Sequence, residues 1–174
     1  MSFLPENYKV PNPGNNYMKL EQGENIFRIL SDAILGWEWW TSEVIDGKEV
    51  RKPNRVAEEE GIPVEEVDDE QLPKHFWAMV VWNYQEKKVQ ILELTQRTIQ
   101  KAIIALQKSK GWGDPKNYDI SITKTGEKME TRYSVMPIPP KPPEEEIKKK
   151  YEAMTINLEA LYRGDDPFSK ENTE

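Results

Sequence analysis

Apolar and polar residues alternate along most of this chain with the two-residue period of a strand, and the period turns helical in only two places. Asn25, Phe27 and Ile29 face one way, and Ile26, Arg28 and Leu30 the other. Residues 33–41 continue extended, with Gly36 a bulge or bend, and Val44–Val50 reads as a hairpin turning on Asp46-Gly47. The run Lys74–Thr95, KHFWAMVVWNYQEKKVQILELT, predicts two strands joined at Gln85–Lys88. On the first of them Phe76, Ala78, Val80, Trp82 and Tyr84 share one face, and His75, Trp77, Met79, Val81 and Asn83 the other. Neither face is polar throughout, so the strand is either buried on both sides or has one functional face.

After Thr95, placed as a helix N-cap, the spacing of Ile99, Ala102, Ile103 and Leu106 predicts an amphipathic helix that stops near Gly111-Trp112-Gly113-Asp114-Pro115. Residues 118–124 and 129–136 alternate again around a turn at Thr125-Gly126-Glu127. A polyproline stretch, residues 137–143, leads to a second predicted helix over 144–162. Its apolar stripe is Ile147, Tyr151, Met154, Leu158 and Leu161, which docks on the core domain or on a second protomer.

With the acidic stretch 53–73 set aside as an insert containing a short helix near 55–60, the order is three strands, a helix and two strands. That order predicts a mainly β fold, a β-barrel of the OB type, with one helix between strands three and four and a C-terminal helical extension. The expected organisation is an irregular arm at 1–18, a core domain at 19–137, and a linker, helix and acidic tail at 138–174.

Composition narrows the chemistry. The 174 residues include no cysteine and one histidine, which excludes disulfides and thiolate metal sites and leaves little for a histidine-based one. No phosphate-binding glycine loop, nucleophile elbow or metal-ligand pair is present, and the paired acids lie in polar runs with no apolar setting to shift a pKa. The expectation is a protein that is not an enzyme and uses no cofactor or metal. No signal peptide or membrane-length apolar run is visible, so a cytoplasmic location is expected.

The net charge of −7 argues at first against a nucleic-acid partner, but its distribution reverses the argument. Between residues 53 and 72 eight acids face one base, Arg55, whereas residues 74–136 carry eleven Lys/Arg against six Asp/Glu. The core domain is therefore basic. Six tryptophans are more than one small barrel can bury, so at least two are expected at the surface. A stacking platform for unpaired bases needs flat side chains on a sheet and cations to follow the phosphates. The candidates are Trp37, Trp39, Trp40, Trp77 and Tyr133, with Arg28, Lys74, Lys124, Lys128 and Arg132 for phosphates. Trp82 is assigned to the core with Phe76 and Val80, and Trp77 to the binding side.

Several segments together carry a resemblance. Residues 17–30, YMKLEQGENIFRIL, then Gly36-Trp37-Glu38-Trp39-Trp40, residues 74–84, Ile91–Gln96 and residues 112–120, WGDPKNYDI, resemble a bacteriophage family of single-stranded DNA-binding replication proteins. The similarity covers residues 17–137. It implies an OB-fold and sequence-tolerant single-strand binding in DNA replication, recombination or repair, in a host-cell cytoplasm. Asp165, Asp166 and Phe168, in Gly-Asp-Asp-Pro-Phe, are similar to the acidic, Phe-ended tails with which single-strand binders recruit partner proteins, although here Ser169–Glu174 follow. The competing expectation is a protein-interaction barrel that uses its aromatics and terminal helix to form an oligomer. Stacking does not by itself see the 2′-OH, so the residues do not separate DNA from RNA.

Overall fold

The computed structural model describes residues 3–4, 16–60 and 73–168. Seven antiparallel strands form one sheet: β1 (Gly23–Ile29), β2 (Ile34–Ile45), β3 (Lys48–Ala57), β4 (Lys74–Asn83), β5 (Lys88–Leu94), β6 (Asp119–Thr125) and β7 (Arg132–Pro137). Helix α1 (Arg97–Lys108) falls between β5 and β6, and α2 (Glu145–Glu152) follows β7. The mainly β expectation holds. The helix has five strands before it rather than three, because the hairpin arms at 34–57 are full strands and the first strand is separate from the second.

β4 is the axis of the sheet. One edge pairs along its length with β5, from Trp77↔Leu94 to Asn83↔Lys88. Its other edge is shared, with Ile34–Glu38 of β2 opposite Lys74–Ala78 and Phe27–Ile29 of β1 opposite Val81–Asn83. At the break between β1 and β2 a side chain continues the ladder: Val80 N–H donates to Ser31 Oγ (2.9 Å), while Leu30 N–H donates to Val80 O (2.8 Å). A buried strand cannot leave such a donor unpaired without a cost of about 1–3 kcal/mol. The order runs on through β6 and β7 beyond β1, and β3 lies outside β2. The segment leading into β1 closes β5's far edge, where Met18 N–H donates to Ile91 O (2.9 Å).

The stretch expected as an insert from residue 53 begins as strand. β3 runs in register with β2 from Lys48 to Ala57, and Pro53 is tolerated because β3 pairs only with β2 among the described residues. A 3-10 turn at Glu58–Glu60 stands where a short helix was expected; residues 61–72 lie outside the described residues. Past Glu38 the β2–β3 hairpin leaves β4 behind and projects as a two-stranded ribbon. Its tip is Asp46-Gly47, both with positive φ (51° and 79°), the geometry of a turn whose twist matches the strands.

Gly36 makes the three-strand junction possible. A Cβ there would stand 2.1 Å from Val56 O and 2.9 Å from the Phe76 ring. Gly36→Ala is therefore expected to push β3 off β2 and lower stability by about 1–3 kcal/mol, read as a fall in the thermal or urea midpoint.

Both faces of β4 are buried. One carries Met79 and Val81 into the main core with Phe27, Leu92, Ile99 and Ile120, beneath α1. The other carries Phe76, Ala78, Val80 and Trp82, with Ile91 and Val89 of β5. This second row is covered by the C-terminal extension, through Ile147 of α2 (1% exposed) and Leu161 (2%). The assignment of Phe76, Val80 and Trp82 to a core is right, but that core lies under the extension, and the larger one lies on the Trp77 side. The extension docks on the chain's own sheet.

The extension is not one helix over 144–162. α2 ends at Glu152, residues 154–157 are irregular, and a 3-10 turn spans Leu158–Arg163. Asn157 caps the second piece: its side chain accepts from Glu159 N–H (3.2 Å) and starts a new turn, which suits a residue that competes poorly in helix interiors. Met154 consequently leaves the expected stripe and is 38% exposed.

Candidate nucleic-acid interface

The period-two pleat of β2 and β4 places Trp39, Trp37 and Leu35 on the same sheet face as His75 and Trp77, because Trp37 is opposite His75 and Leu35 opposite Trp77. The Trp37 and His75 rings lie 5.1 Å apart at 58°. Along this strip exposure is graded. Leu35 is 38% exposed, Trp37, His75 and Trp77 are half-buried, and Trp39 is 3% exposed. Trp39 Nε1 and His75 Nδ1 meet no protein partner among the described residues.

Helix α1 runs beside the strip. The Gln100 side chain donates to His75 O (3.1 Å) and Leu94 O (2.9 Å), and Ile103 and Gln107 line a cleft with Trp77. At 3.6 residues per turn, the row next to Gln100 and Gln107 on the solvent side is Arg97, Lys101, Ile104 and Lys108. All four are exposed, and the helix contains no acid. Sequence reasoning missed this basic row; the signal was the stretch from Gln96 to Gly113, which holds four Lys/Arg and no Asp/Glu.

The cleft below Trp77 has a volume of about 440 Å³. Its floor is Ile29, Trp77, Met79 and Ile103, and its mouth carries Asp32, Gln107, Asp114 and Lys116. The loop forming one wall is fixed by Trp112, packed edge-on to Tyr118 at 5.3 Å, and by the Tyr118 hydroxyl donating to Gly113 O (3.2 Å). Asp114 caps the following turn through Lys116 N–H (2.9 Å). Lys116 Nζ reaches across the mouth to Asp32, and that hydrogen bond holds its ammonium above the ordinary lysine pKa.

The other expected site residues lie elsewhere. Arg28 is 3% exposed and engaged on three sides: Asp119 at 3.6 Å, Lys141 O at 2.8 Å and Lys116 O at 3.0 Å. The Tyr84 hydroxyl and Lys141 Nζ meet the same Asp119 carboxylate at 2.9 and 3.6 Å. Arg28 is thus the clamp between β1, the turn after α1 and the proline-rich linker, with its guanidinium turned away from solvent. Burial raises the Tyr84 pKa, and the hydrogen bond and charge of Asp119 raise it further.

Trp40 points to the opposite sheet face from Trp37 and Trp39. There its Nε1 donates to Glu38 (3.2 Å), and Arg51 lies 5.8 Å over its ring. Lys74 is exposed, but it is opposite Glu38 and so belongs to the Phe76 and Trp40 face, away from the strip. Lys124, Lys128, Arg132 and Tyr133 belong to the β6–β7 hairpin, where Lys124 is opposite Tyr133. α1 separates that hairpin from the strip, packing on β7 on one side and lining the Trp77 cleft on the other. The structure therefore brings together Trp37 and Trp77, with Trp39 buried beside them, and sets Arg28, Trp40, Lys74 and the β6–β7 group apart.

In the tail, Phe168 is half-buried against the cluster of Phe76, Ala78, Ile91 and Leu161, and its N–H donates to Asp166 (3.0 Å). Asp165 pairs with Arg163 at 3.2 Å, and both aspartates remain at the surface. Residues 169–174 lie outside the described residues. Among the described residues no group of acids or histidine is arranged to hold a metal ion, and no helix is long and apolar enough to cross a membrane. No protein-family model, curated protein or solved structure matches the chain.

Proposed function

We propose that this chain is a phage-type, OB-fold single-stranded DNA-binding protein acting in DNA replication, recombination or repair, a binder and not a catalyst. The observation that carries the reading is the half-buried aromatic strip Trp37–His75–Trp77 on one sheet face beside the acid-free basic row of α1. Bases stack on Trp37, His75 and Trp77 for about 1–3 kcal/mol each, and the backbone follows Arg97, Lys101 and Lys108. Stacking is sequence-tolerant because every base has a π-face, and the phosphate contacts make affinity salt-dependent through counterion release. Asp165 and Asp166, exposed beside the docked Phe168, are where a replication partner would be recruited.

Titrating the protein with oligo-dT should quench tryptophan fluorescence, with affinity falling steeply as salt rises. Absence of quenching together with no retention on a single-stranded DNA resin at low salt would overturn the proposal. Trp37→Ala is the cleaner single test of stacking, because Trp77 also packs on the main core. It should lower affinity about tenfold with the melting temperature little changed.

One observation favours a second reading. The ribbon tip exposes Ile45 (51%) and Val50 (43%) on one face and Val44 (76%) on the other, apolar side chains of the kind that join subunits. A stable oligomer indifferent to oligonucleotide, seen by light scattering with and without DNA, would favour the interaction-barrel alternative.

A further inference from the structure

We propose that the cleft beneath Trp77 is a base-reading pocket, taking one unpaired base that carries an exocyclic amino group and discriminating against thymine. The inference rests on the single-strand reading above and adds an edge-reading position to a surface that otherwise only stacks.

The cleft joins an apolar floor to a polar mouth, the arrangement by which small planar ligands are held and oriented. Its volume of about 440 Å³ admits a base, and Trp77 and Ile103 give its ring apolar contacts. The chemistry of the mouth decides which base. Ser31 is committed, accepting from Val80 N–H and donating to Asp32 O (3.0 Å). Lys116 is held by Asp32 on one side, with Asp114 at 3.9 Å on the other. Two carboxylates and one ammonium leave the mouth with one net negative charge. A phosphate is repelled there, so the strand's backbone stays on the basic row of α1 and only the base enters.

The Asp32 side chain is 88% exposed and only one of its oxygens is engaged by Lys116, so a second carboxylate oxygen is open to a donor. Carboxylates accept hydrogen bonds and offer none. The amino groups of cytosine (N4) and adenine (N6) satisfy such an edge, whereas the thymine carbonyl at the same position would face a negative oxygen. The Gln107 amide, exposed on the opposite lip, supplies both a donor and an acceptor to the rest of the base edge.

The experiment compares oligo-dC and oligo-dT of equal length at neutral pH, by fluorescence titration, in the wild type, Asp32→Asn and Ala33→Trp. Wild type should bind oligo-dC about tenfold more tightly than oligo-dT, the scale of one good edge contact. Asp32→Asn should erase the difference, because an amide both donates and accepts. Ala33→Trp, which places a ring in the mouth from an exposed position, should bring oligo-dC down to the oligo-dT value and leave oligo-dT unchanged. If Ala33→Trp does not fold, Asp32→Asn decides. Equal binding of the two oligomers by the wild type, or a preference that survives Asp32→Asn, overturns the pocket while single-strand binding stands. If the wild type binds neither oligomer, the single-strand reading falls, and the pocket with it.

Discussion

Arg28→Ala is expected to lower the stability of the fold by about 3–5 kcal/mol, the cost of removing one partner from a buried ion pair. The substitution leaves Asp119 at 3% exposure without its principal counter-charge, and it frees the carbonyls of Lys116 and Lys141 that the guanidinium now ties together. Urea denaturation monitored by circular dichroism should show the midpoint falling steeply. Arg28→Lys should be only a partial rescue, since an ammonium cannot reproduce a planar fork that reaches two carbonyls and a carboxylate. A phosphate-contacting arginine would behave in the opposite way, losing DNA affinity with stability intact. The same network predicts alkaline sensitivity. The Tyr84 hydroxyl has a higher pKa in the folded state than in the unfolded one, so its contribution is complete below the unfolded value of about 10 and drains away as pH climbs past it. Tyr84→Phe should flatten that part of the stability profile.

The largest effect on binding is expected from Arg97→Gln, Lys101→Gln and Lys108→Gln combined. Each neutralised cation that met a phosphate removes about 0.7 from the salt slope of single-strand binding, so three remove about 2. At ~0.1 M salt that amounts to a loss of roughly a hundredfold in affinity. Glutamine is nearly as good a helix former as lysine or arginine, and the three positions are exposed, so far-UV circular dichroism should not change. Lys124, Lys128 and Arg132, changed to glutamine together, provide the contrast: on the far side of α1 they should alter the slope little. An unchanged slope in the α1 variant, or a larger loss in the hairpin variant, would move the backbone path to the β6–β7 side.

The strands were legible because their alternation is local, and the pleat turns it directly into faces. Trp82 and Trp77 were correctly put on opposite sides of one strand for that reason. What covers each face is a long-range matter. Nothing near Phe76, Ala78, Val80 or Trp82 announces that Ile147 and Leu161 will lie on them. Arg28 shows the same limit: a basic residue on an alternating strand reads as a surface cation until Asp119, far along the chain, is found beside it. The acidic insert misled for a different reason. Composition changes abruptly after Ala57, but β3 begins before that change, in the register set by β2. The basic row of α1 was legible in principle, and the dense aromatics of the strands overshadowed it.

The C-terminal extension also sets an order of events in synthesis. Residues 145–168 leave the ribosome after every strand of the sheet. Until they arrive, the row from Phe76 to Trp82 stands bare on the central strand, an apolar surface on a nascent sheet whose hydrogen bonding is otherwise complete. A growing chain in that condition is prone to associate with its neighbours. Yield in a cell should therefore depend on how soon translation delivers this last seal, and a chain stopped short of α2 should collect in the insoluble fraction even though every strand is present.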